Sequence, residues 1–419
     1  MSTKVTGIYD ARKELGWGKS IIMGLQQCFA MFGATILVPV LTNSYGEGIV
    51  GLSASVTLFC AGVATLWFHF ITKGKVPVFL GSSFAFLGMY QAIIPQYGKE
   101  YATGGVVAAG GLYVILAILI KVLGTKRVMK LFPPAVCGPL IILIGINLAG
   151  SAIDNLFTNW MLGIVPILVI IICNTWGKGM IKIIPVLISL IVSYIVAIIL
   201  GAVSFDGVSS AAWFGLPNFH LPKFNADAMV AGLAVAVAAM VEHIGDVMAI
   251  GATCGKNFIA DPGLTRTLLG DGIGTSLAGL LGGPANTTYS ENTGVVALTR
   301  VFDPFVMRIA AVMAIILSLS PKFEAVINSI PAAIIGGISF VLYGMIAATG
   351  IRTIVENQVD YVNMRNVLIT AIILVSGLGF NHKNIVIGSV AFGGLACAAV
   401  FGIILNAILP GKDYEFKED

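Results

Sequence analysis

Between residues 20 and 409 one stretch of Leu, Ile, Val, Ala and Gly follows another, separated by short polar joints. No other feature limits the fold as severely. Only 11% of the residues are charged and 57% are hydrophobic, whereas a soluble domain carries about 25% charged residues. In lipid, backbone polar groups must be satisfied within the chain, which leaves spanning helices or closed barrels. Runs of roughly 20 residues select helices. The sequence therefore reads as an all-α polytopic membrane protein.

Spans are expected near 20–41, 50–71, 78–90, 103–121, 134–153, 160–176, 183–202, 227–250, 267–283, 288–299, 304–320, 331–350, 366–380 and 384–409, fourteen transmembrane segments in all. The third and tenth are too short or too polar to be ordinary spans. Charge tests this layout. The tails and the joints after even-numbered spans hold 20 of the 24 Lys and Arg residues. Cationic loops stay in the cytoplasm, so both termini are expected inside the cytoplasmic (cell) membrane. The polar, mixed-charge first twenty residues suggest no cleavable signal peptide.

The formal charge of +4 is dispersed, which argues against a nucleic-acid partner. The six cysteines (28, 60, 137, 173, 254 and 397) fall in or beside apolar runs without metal-ligand spacing, and read as small buried hydrophobes. No nucleophile–base pair, metal cluster or phosphate loop appears. A membrane enzyme is not expected, nor is a metal or organic cofactor.

Fourteen divides into seven plus seven, and an odd repeat must be inverted in the membrane. Traces of such a repeat are present. Gly81–Phe86 (GSSFAF) and Asn286–Glu291 (NTTYSE) each carry two hydroxyls and then an aromatic. Pro133/Gly138 and Pro331/Gly336 share a five-residue spacing. The halves are taken as 1–203 and 204–419, with Ser204–Asn225 as the linker and its aromatics as interfacial anchors. Interrupted segments at matching places in inverted halves mark transporter binding sites. Laid side by side as two short strands interrupting spans 3 and 10, they would satisfy each other and leave two half-helix N-termini at the midplane. Two plain re-entrant turns remain the alternative.

Few ionisable groups fall within spans, and such residues are functional candidates. Glu242 and Asp246 stand four apart and share a helix face. Two adjacent carboxylates in low dielectric do not both ionise cheaply, so one is expected to hold a proton. That suits a proton-coupled carrier, although Asp246 could instead be a structural donor. His243 points about 100° away from Glu242, toward another neighbour, and reads as a packed, hydrogen-bonded residue with a weaker claim to proton coupling. Glu291 has two readings: a ligand-binding carboxylate, or the acid of a capping box with Thr288. His69, His220 and His382 carry no signal. Asp261 and Asp271 are expected as turn and cap residues near the cytoplasmic end of the ninth span.

The segment ENTGVVALTR (Glu291–Arg300) resembles the signature of the nucleobase–ascorbate transporter (nucleobase–cation symporter) family. LQQCFAMFGATILVPVL, GKVPVFLGSSFAF and GGPANTTYSEN look like its bacterial uracil permease branch, and the likeness runs from about residue 20 to 409. It implies proton-coupled uptake of a nucleobase, most simply uracil, with the proton as coupling ion. It also implies a core domain (spans 1–4 and 8–11) and a gate domain (spans 5–7 and 12–14), with a possible homodimer through the gate. By similarity Glu242 and Glu291 bind the base, Phe84 contacts its ring, the backbone at Tyr289 and Ser290 completes the site, and Tyr343 approaches from the gate. Gln27 and Ser83 are further candidates. The sequence departs from the uracil branch at Asp246, where His is frequent, at Gln27, also often His, and at Ser290, often Gly. Xanthine or another oxopurine is therefore the alternative substrate. An anion carrier on the same architecture is a remote one, since three midplane carboxylates would repel its cargo.

Overall fold

The computed structural model describes residues 6–43, 49–380, 385–387 and 390–411. Among them are fourteen helices of ten residues or more: α1 (Gly16–Asn43), α2 (Ala54–Ile71), α3 (Leu87–Tyr97), α4 (Lys99–Leu123), α5 (Pro134–Phe157), α6 (Trp160–Trp176), α7 (Pro185–Ile199), α8 (Ala226–Cys254), α9 (Leu264–Leu280), α10 (Ser290–Thr299), α11 (Pro304–Ser318), α12 (Ala332–Glu356), α13 (Met364–Gly379) and α14 (Gly394–Ile408). Six of these are long and apolar enough to cross a membrane, namely α1, α2, α4, α5, α8 and α12. α11 continues through an 85° bend into Pro321–Asn328 and makes a seventh candidate. α6, α7, α13 and α14 are apolar but shorter.

The helices pack in two groups. α1, α2, α4, α8, α9 and α11 contact one another, as do α5, α6, α7, α12, α13 and α14. Small residues set the closest approaches, because without water only tight contact favours helix association. A Cβ on Gly336 of α12 would lie 2.3 Å from the Leu156 nitrogen of α5, and one on Gly138 of α5 would lie 2.4 Å from Ile354. Pro133 and Pro331 occupy the N-cap positions of α5 and α12. The repeated Pro and Gly therefore start these two helices and bring them together.

Four short strands are present. β1 (Leu80–Ser82) pairs antiparallel with β2 (Asn286–Thr288), while β3 (Ile385–Ile387) pairs with β4 (Val390–Phe392). The second pair corrects the sequence reading, which took 384–409 as one continuous span. Its β-branched residues fit a hairpin as well as a helix, and only Gly394–Ile408 is helical. His382 lies outside the described residues.

The N-terminal segment runs alongside the α10–α11 junction. Ile8 bridges to Val301 in parallel, and the Ala11 N–H donates to Asp303 Oδ2 at 2.9 Å.

Candidate functional site

The β1–β2 ribbon is the centre of the first helix group. Leu80 pairs with Thr288, Gly81 with Thr287 and Ser82 with Asn286. Beyond these pairs, the Ser83 N–H donates to the Ala285 carbonyl (2.8 Å) and the Tyr289 N–H to the Phe79 carbonyl (3.0 Å). The ribbon's outer edges also need partners, since no water reaches them. Hydroxyls from the surrounding helices supply these. On α2, Thr65 Oγ1 accepts from the Leu80 N–H (2.9 Å) and donates to the Leu80 carbonyl (3.2 Å). On α9, Thr275 Oγ1 donates to the Asn286 carbonyl at 3.1 Å. Tyr90 Oη of α3 accepts from the Ala285 N–H at 2.8 Å.

Each strand feeds a helix without a side-chain cap. Ser83 precedes the 3₁₀ turn Phe84–Phe86 that opens α3, and Tyr289 precedes α10; neither caps with its side chain. The first N–H groups of both helices therefore carry the donors and positive dipole ends expected of an anion or carbonyl site. α8 passes beside them, in contact with the 3₁₀ turn, β2 and α10. Glu242 is partly exposed there and has no side-chain hydrogen-bond partner among the described residues. It lies within electrostatic reach of Asp246 and Glu291. Gly245 leaves open space between Glu242 and Asp246, since a Cβ on it would meet nothing within 4 Å. Partly buried Phe84 opens the 3₁₀ turn, and Ser290 is exposed at the start of α10.

Several expected residues stand elsewhere or in other company. Thr288 does not cap α10. Its hydroxyl donates to Asp246 Oδ2 at 2.7 Å, and the Ser290 hydroxyl donates to Asp246 Oδ1 at 3.2 Å. The capping-box reading of Glu291 therefore fails, and Asp246 is held by two hydroxyls that sequence reasoning missed, one at the end of β2 and one at the start of α10. Tyr289 turns into the interior. Its hydroxyl donates to the Ser82 carbonyl (2.9 Å) and accepts from Thr35 (3.3 Å), and its N–H belongs to the ribbon. That leaves Ser290 as the backbone donor of the pair. Gly81 makes room for the tyrosine ring. Ser83 is fully buried, and its Oγ lacks a partner among the described residues.

Gln27 is buried on α1, where its carbonyl and Oε1 accept from Asn292 Nδ2 at 2.9 and 2.8 Å. It thus ties α1 to the signature asparagine rather than standing free. Tyr343 is buried on α12 in the other helix group, its carbonyl against Gly145. His243 does find a different neighbour: Nδ1 lies 2.8 Å from Asp271 Oδ2, with both side chains fully buried. This corrects the reading of Asp271 as a cap near a helix end, because it stands inside α9. Asp261 stands at a kink in the π-helical segment Ile259–Gly263 and is paired with Lys75 at 2.5 Å. His69 Nε2 donates to the Val78 carbonyl, 3.0 Å away, and so buttresses the approach to β1. No group of three or more His, Cys, Asp or Glu suited to a metal occurs among the described residues.

Comparison with known proteins adds the lineage. A family model described as a permease family matches residues 18–385. A uracil permease of Bacillus subtilis is 40% identical over 423 residues, covering 96% of this chain and 95% of that protein. A probable uracil permease of Haemophilus influenzae is 40% identical, covering 95% and 96%. A putative pyrimidine permease of Escherichia coli, RutG, is 38% identical, covering 97% and 93%. Among solved structures, the transmembrane domain of the cyanobacterial bicarbonate transporter BicA superposes with a TM-score of 0.63 at 16% identity, covering 96% of this chain and all of that one. SLC26A9 superposes at 0.69 with 10% identity, covering 96% and 66%. At such identities these two share the fold alone. The extent of the family match and the 40% identity across nearly the whole chain place it: this is a multi-pass membrane transporter, not an enzyme, and it belongs to the permease family of nucleobase–ascorbate transporters.

Proposed function

We propose that the protein carries uracil, with protons, into the cell across the cytoplasmic membrane by alternating access. The observation that carries this reading is the Glu242 carboxylate, without a side-chain hydrogen-bond partner among the described residues, beside two uncapped half-helix N-termini. A uracil ring offers N–H donors and C=O acceptors along its edges. Glu242 and Glu291 accept from the N–H groups, while the first N–H groups of α3 and α10, including that of Ser290, donate to the carbonyls. Phe84 lies against the ring. Asp246 trades a proton with Glu242, and Tyr343 closes the site from the gate. The likeness to a uracil permease and a probable uracil permease supports the choice of base.

In this reading the fourteen helices of ten residues or more mark fourteen spans in two inverted sets of seven, residues 1–203 and 204–419, with both termini in the cytoplasm. What supports the repeat is the pattern of packing. Contacts recur after a shift of seven helices: α4 on α9 and α11 on α2, α4 on α8 and α11 on α1, α6 on α12 and α13 on α5, α1 on α7 and α8 on α14. The first helix group is then the core that carries the base, and the second is the gate, through which two copies associate.

The test is uptake of radiolabelled uracil by proteoliposomes. An inward proton gradient should drive accumulation, a protonophore should abolish it, and unlabelled uracil should compete better than xanthine. Accumulation driven by sodium at zero proton gradient would refute the coupling. Preferential competition by xanthine would move the substrate to the oxopurines.

A further inference from the structure

The two helices that carry the proposed base-binding carboxylates, α8 and α10, are tied to each other at both ends. Beside the site the tie is Asp246 of α8, which accepts from Thr288 at the end of β2 and from Ser290 at the start of α10. At the far ends the tie is the N-terminal segment. α8 ends at Cys254, with Gly255 in the left-handed region as its cap. A helix end leaves its last carbonyls open. The Gly255 and Lys256 N–H groups turn back to the Ala252 and Gly251 carbonyls, and the Tyr9 hydroxyl donates to the Cys254 carbonyl at 2.9 Å. The Lys256 ammonium lies over the Tyr9 ring, 4.5 Å from its centre. α10 ends at Thr299 and is followed by Arg300, also left-handed at φ 54°. There the Ile8 N–H donates to the Arg300 carbonyl (2.8 Å), and the Phe302 N–H donates to the Ile8 carbonyl (2.7 Å). Neighbouring residues thus hold separate helices, Ile8 the exit of α10 and Tyr9 the exit of α8. The Tyr9 and Phe302 rings meet edge to face at 5.2 Å and join the two holds. Gly7 lets the Phe302 ring lie against the segment, since a Cβ there would be 2.1 Å from that ring.

Burial does little to place Tyr9. It is 40% exposed, and a cavity of about 330 Å³ opens beside it, lined also by Lys75, Phe258 and Asp261. Its hydroxyl bond and ring contacts define where it sits. α10 needs such a hold, because it is ten residues long and has no side-chain cap at its start. A helix that short is marginal by itself and takes its direction from what fastens its ends.

We propose that Tyr9 is a positioning residue for base binding: with Ile8 it straps the far end of α8 to the far end of α10, and so holds Glu242 and Glu291 at the separation the base requires. This rests on the reading of those two carboxylates as ligands of the base. Cys254 stands about 18 Å along α8 from Glu242, and Arg300 about 13 Å along α10 from Glu291. Tyr9 is therefore too far away to touch the base and acts through the two helices alone. With the strap undone, only the two hydroxyl bonds to Asp246 would join α10 to α8 at the site, and the far end of α10 would be free to swing.

The test uses the purified full chain with uracil as probe. Tyr9→Phe removes the hydroxyl and keeps the ring against Phe302 and Lys256, so the protein should melt as the wild type. Its uracil affinity should fall by about three- to tenfold, the worth of one hydrogen bond. Glu291→Gln, which alone should cost about tenfold, should cost about threefold or less when added to Tyr9→Phe, because the carboxylate is then no longer held in place. Sites more than about 10 Å apart without shared partners normally contribute additively, so this coupling reports positioning and not local packing. Gly7→Ala, which drives the Phe302 ring off the segment, should show the same coupling. Wild-type affinity in Tyr9→Phe, or strictly additive losses in the double variant, would overturn the proposal. A second measurement needs no base: hydrogen exchange of the α10 amides at 295–299 should be faster in Tyr9→Phe, and unchanged exchange would also overturn it. If Glu291→Gln alone binds uracil normally, the parent reading fails, while the exchange rates still decide whether the strap holds α10.

Discussion

Gly81→Ala should loosen the ribbon on which the site is built. The added Cβ would sit 2.3 Å from Cζ and 2.4 Å from Cε2 of Tyr289. Ordinary carbon contacts lie at about 3.5–4.0 Å, so the ring must retreat by more than about 1 Å. It has no free direction: the ring is buried, and its hydroxyl is fixed to the Ser82 carbonyl at 2.9 Å. Overpacking of this kind costs about 1–3 kcal/mol. Pulling the buried hydroxyl off its acceptor costs about 1–3 kcal/mol more. The sum, about 2–6 kcal/mol, is a large part of the margin by which a typical protein is stable, about 5–15 kcal/mol. Moving Tyr289 also moves the start of α10, so uracil affinity should fall together with the melting temperature. Thermal unfolding in detergent and equilibrium binding of labelled uracil measure the two. Gly111→Ala on α4, where a Cβ would meet nothing within 4 Å, is the control. Adding Tyr289→Ala to Gly81→Ala should cost less than the two changes summed, because the clash is gone. Wild-type melting and affinity in Gly81→Ala would show that the ring does not set the strand spacing, and the reasoning would fail.

Glu291→Gln should fold and melt as the wild type, since no capping box is lost, yet bind uracil at least about tenfold more weakly. A charge-assisted bond is worth roughly 1.5–3 kcal/mol; unchanged affinity would remove Glu291 from the site. Glu242→Gln should abolish accumulation without lowering the melting temperature, because Glu242 has no side-chain partner among the described residues to lose. Asp246→Ala should do the opposite in part, lowering the melting temperature as two hydroxyls lose their acceptor at about 1–3 kcal/mol each, with residual base binding. Matching stability losses in the two would show that the division of roles is wrong. Asn292→Ala should detach α10 from α1 by freeing the Gln27 carbonyl and Oε1, seen as weaker uracil binding and faster limited proteolysis; wild-type values in both assays would contradict that tie.

The apolar runs were enough to place the long helices, because burial in lipid demands them wherever about 20 apolar residues follow one another. The polar interruptions at 81–86 and 286–291 were visible for the converse reason. What lay beyond the sequence was which face meets which. Asp271 reads as an ordinary cap until α8 brings His243 to it, and Thr288 fits a capping box until Asp246 is found within 2.7 Å. Tyr289 sits in the signature region, yet only the glycine across the ribbon reveals that its ring turns inward. The β3–β4 pair was misread because the seven β-branched and small residues and Phe392 between 385 and 392 satisfy the apolar test for a span equally well.

Ser82 and Asn286 are ribbon partners separated by more than two hundred residues of chain. During synthesis, the first half must enter the membrane long before its partner strand exists. Until then the Leu80–Ser82 backbone has Thr65 on one side and nothing on the other, in a medium where an unpaired amide costs several kcal/mol. In the nascent first half the open edge of β1 therefore needs another partner until that strand is made. Closure of the ribbon then arrives with residues 285–289, and the same event creates the proposed place for the base.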